Sequence, residues 1–198
     1  MQKQTGQNYF TPQRLAAFGI MSALVFVSSW MQIPIGDVTR VHLGNGFCAL
    51  TGLLFGPVIG GLSSGMGSML FDFTNPLYIA ESWVTFLMKF AIGFLAGAIS
   101  HYRVAEEGFS KAKDIIGAAV GAAAYVALYL GKTWVVKYWL EHQALGAVQT
   151  QLVTKAIASG INAVTAVFVS VLLAAALRPA LARAGLFGKL TDPHAGKV

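Results

Sequence analysis

Lys89 stands near the middle of the run VTFLMKFAIGFLAGAIS, whose other residues are almost all apolar. An ammonium group at the centre of a bilayer costs about 2.5 to 3.5 kcal/mol on insertion scales, so a lysine placed there needs polar company. That company recurs at helical spacing. Ser82, Thr85 and Lys89 fall on one side of one helix. Tyr125, Tyr129 and Lys132 share a face of a second, and Gln151, Lys155, Ser159 and Asn162 form a stripe along a third. Asp72, Asn75, Glu81 and Glu141, with Asp37, supply acids and amides near the same ends of these segments. Cations, hydroxyls, amides and phenol rings brought together in this way make a hydrogen-bonding wall for a polar ligand, and intramembrane ionisable residues usually mark a pathway or a site. The purely structural alternative is that Lys89 pairs with Asp72 or Glu81 for packing. Lys132 and Lys155 lie nearer the interface, where they can also snorkel to water.

Other chemistry is poorly supported. GLSSG at 61–65 matches G-x-S-x-G in form, with Ser63 as the nucleophile. A nucleophile elbow needs a strand-to-helix turn with a base and an acid in reach, and the surroundings here read as helix. No Walker motif is present. His42, His101, His142 and His194 have no metal-ligand spacing, and the single cysteine, Cys48, precludes an intrachain disulfide. The expectation is therefore no catalytic residue, no metal and no cofactor.

The elements that carry these stripes are membrane helices. Of the 198 residues 56% are hydrophobic and 11% charged, well under the roughly one quarter charged of a soluble domain. The net charge of +6 comes from basic residues clustered at the ends of apolar runs, a topology signal and not a nucleic-acid stripe. The length suits a single membrane domain over 1–198. The first apolar run reads as an uncleaved span and not a signal peptide, because its polar leader is long and no small-x-small site follows. Apolar runs near 20 residues suggest helices over about 14–33, 81–100, 114–137 and 151–177. The stretch 43–73 is either one kinked helix or two short ones broken at Gly56-Pro57, since proline removes a donor and disfavours helix before it. Lys and Arg accumulate on the cytoplasmic side. Only a hairpin of two helices, 43–56 and 57–73, places the basic N-terminus, the 101–114 loop and the basic tail together. The fold expected is all-α, with six transmembrane helices and both termini cytoplasmic.

In that topology the polar stripes occupy the outer half, and below Lys89 and Asn162 the helices turn apolar. This describes a hollow open outward and closed inward, where a channel would be polar throughout. Trp30, Trp83, Trp134 and Trp139 fall at the outer helix ends, either as an aromatic belt or as rings covering a ligand. Glycines repeat every fourth residue at 52, 56 and 60, at 61 and 65, at 93 and 97, and at 117 and 121, which lets helix backbones approach closely in lipid. Ala16, Gly19 and Ala23 give the first helix a smooth flank suited to a partner.

The segments RVHLGNGFCALTGLLFGPVIGGLSSGMGSMLFDF and ESWVTFLMKFAIGFLAGAI resemble the S components of energy-coupling factor (ECF) transporters, and the likeness extends over nearly the whole chain. The parts that carry it are the Asn45-Gly46 start of helix two, the Gly-Pro hairpin, the acidic end of helix three and Lys89. The resemblance implies six helices and an outward-facing pocket for a small water-soluble vitamin or precursor. It further implies a transmembrane T component and two ATPases as partners, and residence in a bacterial or archaeal plasma membrane. Within the family, substrate is bound by the outer parts of helices four to six and the loop after helix one. That implies a site built from Asn45, Asp72, Asn75, Glu81, Trp83, Lys89, Tyr125, Tyr129, Lys132, Lys155, Ser159 and Asn162, with Lys89 either bonding the substrate or orienting Asp72. The T component would dock on Ala16, Gly19 and Ala23, although the family's alanine pair appears here as Gly19 and Ala23. The closest branch is the riboflavin and hydroxymethylpyrimidine or pyridoxine type. The rival readings are a self-sufficient channel or exporter and a serine hydrolase built on Ser63.

Overall fold

The computed structural model describes residues 10–35, 39–104 and 108–185. Asp37, both chain ends and His194 lie outside the described residues. Among the described residues, six α-helices of 12 to 39 residues run in the order α1 (Pro12–Ser29), α2 (Gly44–Phe55), α3 (Pro57–Asp72), α4 (Ser82–Ser100), α5 (Lys111–Trp134) and α6 (Leu145–Arg183). Helix α1 starts where Thr11 accepts from the Arg14 backbone N–H, with Pro12 at the first turn, where its missing N–H costs nothing.

Three helical segments, Ile79–Ser100, Lys111–Leu140 and Leu145–Arg183, are long and apolar enough to cross a membrane, and Gly44–Phe55 is a shorter apolar helix. Helix α6 runs past its apolar core at both ends, and Pro179 sits inside its last turns. Beyond Trp134, α5 widens into a π-helical turn over Val135–Leu140, which re-aims the side chains that follow.

The break between α2 and α3 is a single residue. Gly56 has φ +87°, a conformation that favours glycine, and Pro57 then opens α3. The two short helices stay together through the Thr51 and Ser64 hydroxyls, which lie 2.8 Å apart and reach the carbonyls of Cys48 and Gly60. The spaced glycines allow α2, α3 and α4 to touch backbone to backbone. A Cβ on Gly52 would lie 2.1 Å from the Gly93 carbonyl oxygen, and one on Gly93 would lie 2.3 Å from the Gly60 carbonyl oxygen. Leu50, Leu53, Leu54, Ile59 and Ile92 fill the core around this contact.

One element was not expected from sequence. Where a plain loop was anticipated after α1, an antiparallel pair forms from β1 (Gln32–Ile35) and β2 (Thr39–His42), with Gln32 opposite His42 and Ile35 opposite Thr39. The segment is too short and too interrupted by Pro34 and Gly36 for strand alternation to stand out.

Candidate functional site

A cavity of about 760 Å³ opens at the end of the bundle where α3 finishes and α4 begins. Each wall comes from one element. The end of α3 and the following turn give Ser68, Phe71, Asp72, Asn75 and Tyr78. Glu81, Thr85, Met88 and Lys89 come from the approach to α4 and its first turns. Helix α5 and its π turn contribute Tyr125, Tyr129, Lys132, Thr133, Lys137 and Glu141, and α6 contributes Lys155, Ser159 and Asn162. Gln32 and His42, the first and last residues of the strand pair, close the remaining side. The helical spacing of the polar residues causes this convergence, because each stripe lies on the flank its helix turns toward its neighbours.

At the floor, Lys89 is only 6% exposed. Its Nζ donates to Oδ1 of Asn45, itself buried at the start of α2, and lies 4.3 Å from the centre of the Tyr125 ring. An amide oxygen and a ring face answer the cost of the buried ammonium posed by the sequence. Tyr125 and Tyr129 stack, with ring centres 5.8 Å apart and planes 6° from parallel, and Lys155 lies 5.2 Å above the Tyr129 ring. Nearer the mouth, Lys132 pairs with Glu81, so Glu81 serves α5. Lys137 pairs with Glu141 at 2.8 Å. Asn162 accepts from the backbone N–H of His42 at 2.9 Å, which fastens β2 to α6.

Of the residues the sequence pointed to, Asp72, Asn75, Glu81, Lys89, Tyr125, Tyr129, Lys132, Lys155, Ser159 and Asn162 line this cavity. Asn45 lies just behind it, against Lys89. Trp83 is apart: it is 63% exposed, and its position on α4 is turned away from the Ser82–Thr85–Lys89 flank. None of the four tryptophans lines the cavity, and Trp30, Trp83 and Trp139 are exposed, as residues of an aromatic belt would be. The aromatic surface facing the hollow comes from tyrosines and Phe71 instead. Sequence reasoning missed Gln32, His42, Ser68, Thr133 and Lys137 as lining residues. Thr133 sits one residue from Lys132 on the same helix, but Lys137 reaches the cavity only through the π turn, and His42 only through the strand pair.

At the opposite end of the bundle a polar cluster ties α4, α5 and α6 together, beside a separate, mainly apolar groove of about 1000 Å³ between α5 and α6. Arg178 of α6 pairs with Asp114 of α5, and its Nη2 donates to Asp114 Oδ1 at 2.7 Å and to the Leu53 carbonyl at 2.8 Å. Ser100 donates to Asp114 at 2.5 Å, the Phe109 ring covers the guanidinium at 4.1 Å, and His101 Nε2 lies 3.1 Å from the same Leu53 carbonyl. Between this plug and the cavity floor lie Ile92, Ala96, Ala118 and Ala122, all buried. Ser63 lies inside α3 with its hydroxyl directed at the Phe18 carbonyl at 3.4 Å, and His101 is committed elsewhere, so the parts of a serine hydrolase are not assembled. Ala16, Gly19 and Ala23 sit on the exposed side of α1, and a Cβ on Gly19 would meet nothing within 4 Å.

Comparison with known proteins agrees with this architecture. Residues 9–179 match the family model described as the ECF-type riboflavin transporter, S component. Among curated proteins, the chain is 30% identical over 129 residues to a UPF0397 protein of Streptococcus gordonii, covering 64% of this chain and 66% of the relative. It is 34% identical over 96 residues to a UPF0397 protein of Lactiplantibacillus plantarum, covering 48% and 50%, and 32% identical over 111 residues to one of Exiguobacterium, covering 55% and 60%. The chain thus spans between half and just under two thirds of the length of these relatives. The family consists of transporter subunits and not of enzymes. A match over nearly the whole chain, joined to the long apolar helices, makes this a multi-pass membrane protein that belongs to the family of ECF-type riboflavin transporter S components.

Proposed function

We propose that this chain is the substrate-capture subunit of an ECF-type importer in a bacterial or archaeal plasma membrane. Its cavity faces outward and takes a small water-soluble vitamin or vitamin precursor. The cargo is delivered inward only when the subunit associates with a transmembrane T component and two ATPases. The observation that carries this reading is the blind shape of the hollow: polar walls from α3 to α6 at one end, a buried alanine-rich and isoleucine-lined zone below, and the Arg178–Asp114 plug beyond. A passage that conducted solute unaided would need polar lining through that zone.

The paired tyrosine rings and surrounding donors suit a flat heterocycle with polar substituents. Riboflavin and hydroxymethylpyrimidine- or pyridoxine-like compounds are the substrates of first choice. The exposed flank of Ala16, Gly19 and Ala23 is the proposed seat of the T component, because small residues let a partner helix approach closely. The test is uptake into proteoliposomes of radiolabelled riboflavin and pyridoxine. Accumulation that requires co-reconstituted T component, ATPases and ATP supports the reading. Flux through the chain alone would establish a channel or exporter instead.

A further inference from the structure

We infer that the substrate carries an anionic group, a carboxylate or a phosphate, and that Lys155 is the residue that receives it. The inference rests on the cavity being the capture site, and it narrows the proposed substrates to acidic relatives of those ring systems, their phosphates or ring carboxylates. Four lysines face the hollow, Lys89, Lys132, Lys137 and Lys155, against three carboxylates, Asp72, Glu81 and Glu141. Two of the carboxylates are already committed, Glu81 to Lys132 and Glu141 to Lys137. Asp72, the third carboxylate, cannot balance both of the other cations.

Lys89 has the Asn45 amide and the Tyr125 ring. Lys155 contacts the Thr133 hydroxyl at 3.3 Å and the Tyr129 ring, and among the described residues no carboxylate lies within ion-pairing distance of it. An ammonium has three donors, and Thr133 takes one. Lys155 is half-buried on the cavity wall, one helical turn from Ser159. Excess positive charge in a cleft with low-dielectric walls attracts an anion, and an ammonium–carboxylate or ammonium–phosphate bond is about twice as strong as a neutral one. The Tyr129 ring and Thr133 hold the lysine without neutralising it, as an anion site requires.

The experiment uses the full chain in detergent, in wild-type, Lys155→Gln and Lys155→Arg forms, each checked for folding by thermal melting. Native mass spectrometry identifies the compound carried through purification from cells. Equilibrium binding then compares matched neutral and anionic probes: riboflavin with its 5′-phosphate, pyridoxine with its 5′-phosphate, and nicotinamide with nicotinate. The phosphate and carboxylate arms separate the two anion chemistries. The expected result is an acidic compound on the wild-type protein and tighter binding of the anionic member of one pair. Lys155→Gln should lose that preference by about 10-fold or more, and Lys155→Arg should keep most of it. A neutral compound bound equally by wild type and Lys155→Gln would overturn the inference and leave the capture reading standing. An acidic compound whose binding Lys155→Gln does not weaken would remove Lys155 from the site. No bound compound from cells, together with no binding of any probe, would overturn the capture reading and the inference together.

Discussion

The backbone N–H of His42 donates to the side-chain oxygen of Asn162 at 2.9 Å, joining residues 120 positions apart in the wall of the cavity. This bond fixes the end of the strand pair to α6, so a short segment after α1 forms a wall of the hollow. A net hydrogen bond of this kind contributes about 1 kcal/mol. Asn162→Ala should therefore speed amide exchange at His42 by several-fold in hydrogen–deuterium exchange, while amides inside α2 and α4 keep their protection. Unchanged exchange at His42 would mean that the bond does not hold the strand pair in place.

The Lys89–Asn45 contact yields a second prediction. Removing Lys89 leaves a buried amide oxygen without its donor, at a cost of about 1 to 3 kcal/mol. Lys89→Met should weaken substrate binding and lower the melting temperature, and Asn45→Leu should do the same. The double variant should lose clearly less than the sum of the two, because the pair is one interaction. Additive losses in calorimetric melting would show that the two side chains act independently.

The plug at the end opposite the cavity is a buried ion pair, with side-chain exposures of 13% and 4% for Arg178 and Asp114. Taking away one partner strands the other, which costs about 3 to 5 kcal/mol. Asp114→Ala and Arg178→Met should each reduce thermal stability strongly. Replacing both with apolar residues should recover much of the loss. If the double variant melts as low as the worse single one, the pair is not the source of the stability.

Glycine positions separate folding from docking. Gly93→Leu has no room, since even a Cβ there would meet the Gly60 carbonyl at 2.3 Å, and the variant should fail to accumulate in membranes. Gly19→Leu has open space around it and should fold and bind substrate normally. If α1 docks the T component, Gly19→Leu should lower ATP-dependent uptake without changing binding by the isolated chain. Normal uptake in this variant would move the docking surface elsewhere.

The polar stripes were legible because period-3.6 spacing alone decides which residues of α4, α5 and α6 share a flank, and a lysine in an apolar run advertises its need for partners. The Gly56 break was legible for the same local reason, proline chemistry combined with charge bias. What sequence did not give depends on contacts distant along the chain. Trp83 carries the same interfacial signature whether it faces lipid or ligand, and only its angular position on α4 distinguishes the two. Lys89 is the nearest cation to Glu81 in the sequence, yet Glu81 pairs with Lys132 of another helix. His42 and Lys137 reach the hollow through a strand pair and a π turn, neither of which leaves a periodic trace. Asp114 and Arg178 read as members of basic loops, because nothing local shows that they meet.

A capture subunit requires a hollow that is reachable from one side of the membrane only. Single cysteines introduced as Thr85→Cys, Ser159→Cys and Ala118→Cys, in a chain with Cys48→Ala, test this in intact cells with a membrane-impermeant maleimide. The account predicts that Thr85→Cys and Ser159→Cys are labelled from outside and protected in inverted vesicles, while Ala118→Cys reacts from neither side. Labelling of the cavity positions from the inside, or of Ala118→Cys from the outside, would contradict it.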